Sequence, residues 1–235
     1  MTHTSTSLLK KQGGFTLIEV LVAITLMAVL AGLSWRGIDG LMRTRDITQA
    51  RVNQVAVVQT VLAQWQADLD ALQTSSVSVS GLQWDGRVLR MVRRASNWRA
   101  DGSDPGLWVV GWTRRTVAGG DNTLGQWVRW QSPALQSTLQ LKEAWAQAEQ
   151  WGQNRSAQDA PLETPLLPLQ QWQLTYYRGN AWTNPLSSAD GKSNDASKAE
   201  LPDAIRLQVD LPSSTGVNGR LTLDWVRPTF SNSKS

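Results

Sequence analysis

The chain has 235 residues, enough for one folded domain of ordinary size beside a membrane anchor. Hydrophobic residues make up 41% and charged ones 18%, which excludes wholesale disorder. The net charge of +4 is spread over scattered arginines, too weak a basic excess to argue for nucleic-acid binding. There is no cysteine, and the one histidine is His3. Beyond residue 3 the chain therefore has no imidazole general base, no thiol nucleophile and none of the usual zinc ligand sets. Neither a metal nor a cofactor is expected.

Residues Met1 to Gly14 are polar, small and basic, and end in Lys10-Lys11-Gln12-Gly13-Gly14. Phe15-Thr16-Leu17-Ile18-Glu19-Val20 then opens an apolar run that reaches about Trp35. About twenty residues at 1.5 Å rise cover a bilayer core of roughly 30 Å. Glu19 lies inside this run, where a carboxylate is costly, and an acid kept there marks a function. In an ordinary secretory signal the apolar region precedes the cut and is discarded. Here the glycine pair precedes it, so a cut after Gly14 would keep the membrane segment. An uncleaved anchor is the plain alternative. Lys10 and Lys11 flank one end and Arg36, Arg43, Arg45 and Arg51 the other, so charge counting alone leaves the orientation open.

Over residues 36–73 the pattern turns amphipathic. Leu41, Met42, Val52, Val55, Val58, Leu62, Trp65, Leu69 and Leu72 recur at three- and four-residue spacing and predict one long helix. Gly32, Gly37 and Gly40 each weaken it by up to about 1 kcal/mol relative to alanine, so a kink or local melting is expected near the membrane exit. The stripe suits core packing, or a seam for a partner helix through Leu41, Met42, Val52, Val55 and Leu62.

From residue 74 to about 230 the pattern is mostly that of strands. Val77 to Val79 and Gly81 to Trp84 alternate, and Asp85-Gly86 is a hairpin turn before Arg87 to Val92. Leu107 to Trp112 and Gln126 to Trp130 form a second predicted pair, and Leu139 to Trp151 a short helix. Pro161, Pro165 and Pro168 predict a surface linker. Trp172, Leu174 and Tyr176 alternate with polar residues up to a Gly179-Asn180 turn before Trp182; 187–200 reads as a polar loop. Two closing strands run from Ala204 to Val209 and from Arg220 to Trp225. The expected fold class is α+β, a long amino-terminal helix laid on an antiparallel, hairpin-built sheet.

With that layout, the opening stretch resembles the type IV pilin superfamily. Gly14 matches the residue before the prepilin peptidase cut, Phe15 the first mature residue and Glu19 the acidic fifth mature position. Trp35-Arg36-Gly37-Ile38-Asp39-Gly40-Leu41-Met42-Arg43, Leu169 to Tyr177 with Trp182, and Leu201-Pro202-Asp203-Ala204-Ile205-Arg206-Leu207 are similar to J-type minor pseudopilins of type II secretion. The stretch from about Arg94 to Pro168 matches no pattern of that subtype and is rich in tryptophan. The resemblance implies residues 1–14 as a leader carrying Lys10, Lys11 and Gly13, residues 15–35 as a transmembrane helix, and a β-rich periplasmic domain. It implies cleavage between Gly14 and Phe15, N-methylation of Phe15, and partners of the I and K types at the tip of a pseudopilus. It places the protein in the inner membrane, crossing once. A minor pilin of a type IV pilus is the neighbouring reading. Glu19 is expected to pair with the Phe15 amine of an adjacent subunit, since opposite charges attract strongly at low dielectric; a carboxylate snorkelling to headgroups is the alternative.

Three other features bear on function. Thirteen tryptophans invite a membrane-anchored carbohydrate-binding reading, although Trp108, Trp112, Trp127 and Trp130 lie in strand patterns that burial explains as well. The acid pairs Asp68/Asp70 and Asp101/Asp104 could in principle serve glycoside hydrolysis, but two residues apart on a helix do not face each other, and the second pair sits in a turn. An enzyme is not expected. Asp190 to Asp195 offers oxygens for calcium without the EF-hand spacing.

Overall fold

The computed structural model describes residues 14–73, 79–94, 106–116, 124–187 and 201–228. It divides into two compact units, Met1–Arg51 and Val52–Ser235. The described part of the first unit is helical from Leu17 and exposed throughout.

Helix α1 runs from Leu17 to Asp70 without interruption. The helix continues through Gly32, Gly37 and Gly40, so the local melting expected there does not occur. Within its apolar run, Thr25 donates its hydroxyl to the carbonyls of Leu21 and Val22 at 3.1 and 2.8 Å, which satisfies that group within the helix. Toward the other end α1 becomes a core element, with Val58, Val61, Trp65, Asp68 and Leu69 buried.

Among the described residues nine strands follow, in two antiparallel sheets rather than the one expected. The first holds β1 (Leu82–Trp84), β2 (Val88–Arg94), β3 (Leu107–Thr116), β4 (Gly125–Gln131) and β5 (Glu163–Leu169), in that order. The second holds β6 (Gln171–Arg178), β7 (Ala181–Thr183), β8 (Ala204–Leu211) and β9 (Gly219–Val226), ordered β7-β6-β8-β9. The chain changes sheet across the single residue Gln170. The hairpins read from Asp85-Gly86 and Gly179-Asn180 are present. Asp85 explains the first, its carboxylate accepting from the N–H groups of Arg87 and Val88 at 2.8 Å each. In the second, Gly179 and Asn180 have φ of 54° and 67°, the two left-handed residues of a type I′ turn.

The proline segment is not a linker. Residues 157–162 form a 3-10 turn, and Pro165 and Pro168 lie within β5, paired with Val128 and Gln126 of β4. β5 is an edge strand with a register shift beside it, which is where a residue without an N–H does least damage. Residues 77, 78 and 188–200, expected as strand and loop, lie outside the described residues.

Strands β2 to β4 are apolar on both faces. Leu89, Met91, Val110, Trp112 and Trp127 join α1 and the inner face of the second sheet in one cluster. Val88, Val92, Val109, Val128 and Trp130 face helix α2 (Thr138–Gln153) in another. Ser137 and Gln140 start α2 with a reciprocal capping box. The helix packs close: a Cβ on Gly152 would lie 2.6 Å from that of Val88.

Candidate functional site

Thr16 precedes the first helical residue of α1 and Glu19 sits in its first turn. The Glu19 and Val20 N–H groups donate to the Thr16 carbonyl at 3.1 and 3.3 Å, and the Thr16 hydroxyl approaches the Glu19 carboxylate at 3.5 Å. Thr-x-x-Glu ahead of an apolar run is a helix-start signature, and an anion in the first turn is favoured by the exposed N–H groups. Glu19 thus has a local reason to be tolerated there, and Thr16 is a residue the sequence reading passed over although the signature was visible. Among the described residues no atom lies within 4 Å of the position a Cβ on Gly14 would take, and Phe15 is 81% exposed. Lys10, Lys11 and Gly13 lie outside the described residues.

α1 is long and apolar enough to cross a membrane, and none of its most apolar 18-residue window is buried. Of the suggested partner face, Leu41, Met42 and Val52 are exposed. Val55 is half-buried, and Leu62 packs against the core of the β-rich unit.

The acid pair on α1 is structural. Asp68 is fully buried. Its Oδ1 accepts from Gln64 and Arg129 Nη2, both at 2.9 Å, and from Arg93; its Oδ2 accepts from Arg129 Nε at 2.7 Å and Trp112 Nε1 at 2.9 Å. Asp70 accepts from Trp225 Nε1 at 2.8 Å. With every lone-pair direction on Asp68 engaged, no position is left for a substrate proton. Its burial had a signal in the sequence: Asp68 falls between Trp65 and Leu69 on the apolar stripe. Asp101, Asp104 and Asp190 to Asp195 lie outside the described residues. Among the described residues no group of three or more potential ligands is placed to hold a metal ion.

Most of the described tryptophans are buried or half-buried, whereas Trp35 and Trp182 are exposed. Trp65, Trp112, Trp127, Trp130 and Trp151 are all essentially inaccessible. Trp108 is half-buried, with the Arg93 guanidinium 5.3 Å from its ring. A second carboxylate hub holds α2 to the first sheet: Glu163 accepts from Arg115 and Arg155 at 2.8 Å each and from Trp151 Nε1 at 3.0 Å. Burial alone would raise the Glu163 pKa, but the Trp151 and Arg115 hydrogen bonds and the two cationic charges outweigh it and hold the carboxyl below its ordinary value.

A family profile, the prokaryotic N-terminal methylation motif, matches residues 9–35. No curated protein matches the chain. The motif covers the basic pair, the glycines, Phe15, Glu19 and the apolar run, and it implies processing by a prepilin peptidase and assembly into a pilus-like filament. It is a motif of structural proteins rather than of a known enzyme family, and with the single apolar helix it suits membrane anchoring. Motif, anchor-length helix and antiparallel sheets together support a type IV pilin-like protein, a pilin or a pseudopilin.

Proposed function

We propose that this protein is a minor pseudopilin of the J type, working at the tip of a type II secretion pseudopilus. A prepilin peptidase cuts between Gly14 and Phe15 and methylates the new amine. The helix holds the subunit in the inner membrane, with the β-rich domain in the periplasm. Subunits added below push the tip toward the outer membrane, and I-type and K-type pseudopilins are its neighbours. The observation that carries this reading is the methylation motif running without a break into an exposed apolar helix whose first turn holds Glu19. Support for the subtype comes from the Trp35 to Arg43, Leu169 to Tyr177 and Leu201 to Leu207 stretches, and for a helical contact from the exposure of Leu41, Met42 and Val52.

The test is co-expression of the full chain with a prepilin peptidase and with I- and K-type pseudopilins. The intact mass of the extracted protein should lack Met1 to Gly14 and carry one methyl group, and the three proteins should co-purify. A full-length product with an active peptidase present overturns the processing. Co-purification with pilus subunits in place of the two pseudopilins makes it a minor pilin.

A further inference from the structure

Two adjoining cavities open on the β-rich unit, of about 500 and 400 Å3, with Gly86 and Trp172 lining both. Between them they are lined by every residue from Gln171 to Thr175. A strand presents alternate residues on a face, so a consecutive run against a groove is the mark of a strand edge. Among the described residues no strand covers that edge: β7 pairs with β6 only from Tyr176 to Arg178. The two-residue turn makes Arg178 and Ala181 a hydrogen-bonded pair, and alternation then turns the N–H and C=O groups of Trp172 and Leu174 into the groove.

The other outer strands of these sheets carry guards that this one lacks, and on the long outer strand β9 these are the charged Arg220 and Asp224. β1 and β7 are three residues long, and β5 carries two prolines and a register shift. Gln171 to Thr175 has no proline, charge or bulge. The groove is also polar in a directed way. Arg87, Arg114 and Arg115 line one end with Thr113 and Gln153, and among the described residues no carboxylate lines it. Arg114 Nε donates to the Leu169 carbonyl and Arg115 to Glu163, which fixes both guanidiniums in place. Trp84, Trp182 and Leu186 line the other end.

We propose that this groove binds an extended, acidic segment of another protein, which adds a strand to β6 and sets a carboxylate against Arg87 at the arginine end. A second copy of this chain is a poor donor. The carboxylates on its described strands, Glu163, Asp210 and Asp224, are already paired with Arg115, Arg220 and Arg206. The proposal is independent of the leader and of Glu19, so its failure leaves the filament reading untouched.

The test uses the full chain in detergent, with heptapeptides of alternating glutamate and valine as probes and the same peptides with lysine for glutamate as controls. Amide hydrogen exchange at Trp172 and Leu174 should slow at least about tenfold with the acidic peptides, and Arg87→Glu should weaken their binding by about tenfold, an exposed substitution that leaves the fold intact. Equal protection by acidic and lysine peptides overturns the proposal. So does protection of Thr222 and Asp224 on β9 instead, protection by an acidic oligosaccharide but not by peptide, or no protection at millimolar peptide.

Discussion

The Arg129 guanidinium grips the Asp68 carboxylate with two parallel hydrogen bonds, Nε to Oδ2 at 2.7 Å and Nη2 to Oδ1 at 2.9 Å, across 61 residues of sequence. Arg93 and the Trp112 indole share the same carboxylate, so one helical acid ties α1 to β2, β3 and β4. Removing its charge would strand two largely buried guanidiniums. Asp68→Asn should therefore cost about 3–5 kcal/mol, as for other broken buried ion pairs. Urea unfolding of the variant measures it, and a loss below about 1 kcal/mol would show that the arginines find water instead.

Gly152 and Val88 should be energetically coupled. A Cβ on Gly152 would meet Val88 Cβ at 2.6 Å and Cγ1 at 2.7 Å. Gly152→Ala should destabilise by about 1–3 kcal/mol through overpacking. Val88→Ala removes the atoms struck, so the double variant should lose clearly less than the sum of the single losses. Strict additivity in a double-mutant cycle would contradict the contact.

The pH dependence follows from Glu163. Its pKa is lower folded than unfolded, so its contribution is present above the ordinary glutamate value and fades as pH falls through the folded one. Stability should decline on acidification below about pH 4.5, and Glu163→Gln should flatten that part of the curve. Thermal melts of both proteins across the acid range decide it; parallel curves would assign the acid sensitivity elsewhere.

Glu19→Val should leave insertion intact, because it only removes a charge from an apolar segment. If Glu19 pairs with the amine of Phe15 on a neighbouring subunit, the variant should be processed normally yet enter assemblies poorly. Crosslinking or co-sedimentation with partner subunits reads this out, and incorporation equal to wild type would refute the pairing.

Local chemistry explains why some of this architecture was legible in the sequence. Asp85-Gly86 and Gly179-Asn180 declare their turns because few residues adopt those conformations, and Trp172, Leu174 and Tyr176 alternate because only one face of β6 is buried. The leader and Glu19 stand out because charge and glycine are rare around an apolar run. Pro165 and Pro168 misled, since tolerance of proline depends on being at a sheet edge, a property of the tertiary arrangement. The division into two sheets was hidden for the same reason, as nothing at Gln170 distinguishes a bend from a turn. Asp68 lay on the buried stripe in plain view, but its partners Arg93, Trp112 and Arg129 are brought to it only by the fold.

The indoles of Trp84, Trp172, Trp65, Trp127 and Trp112 form a continuous chain, with neighbouring ring centroids 4.7 to 6.1 Å apart. At such separations excitation passes between rings faster than it is emitted, so light absorbed by one is shared among all five. The emission of these five of the thirteen tryptophans is therefore a collective property of the junction between the carboxyl-terminal part of α1 and the two sheets. Any loosening of that junction should appear as a loss of coupled near-ultraviolet circular dichroism before the emission maximum moves.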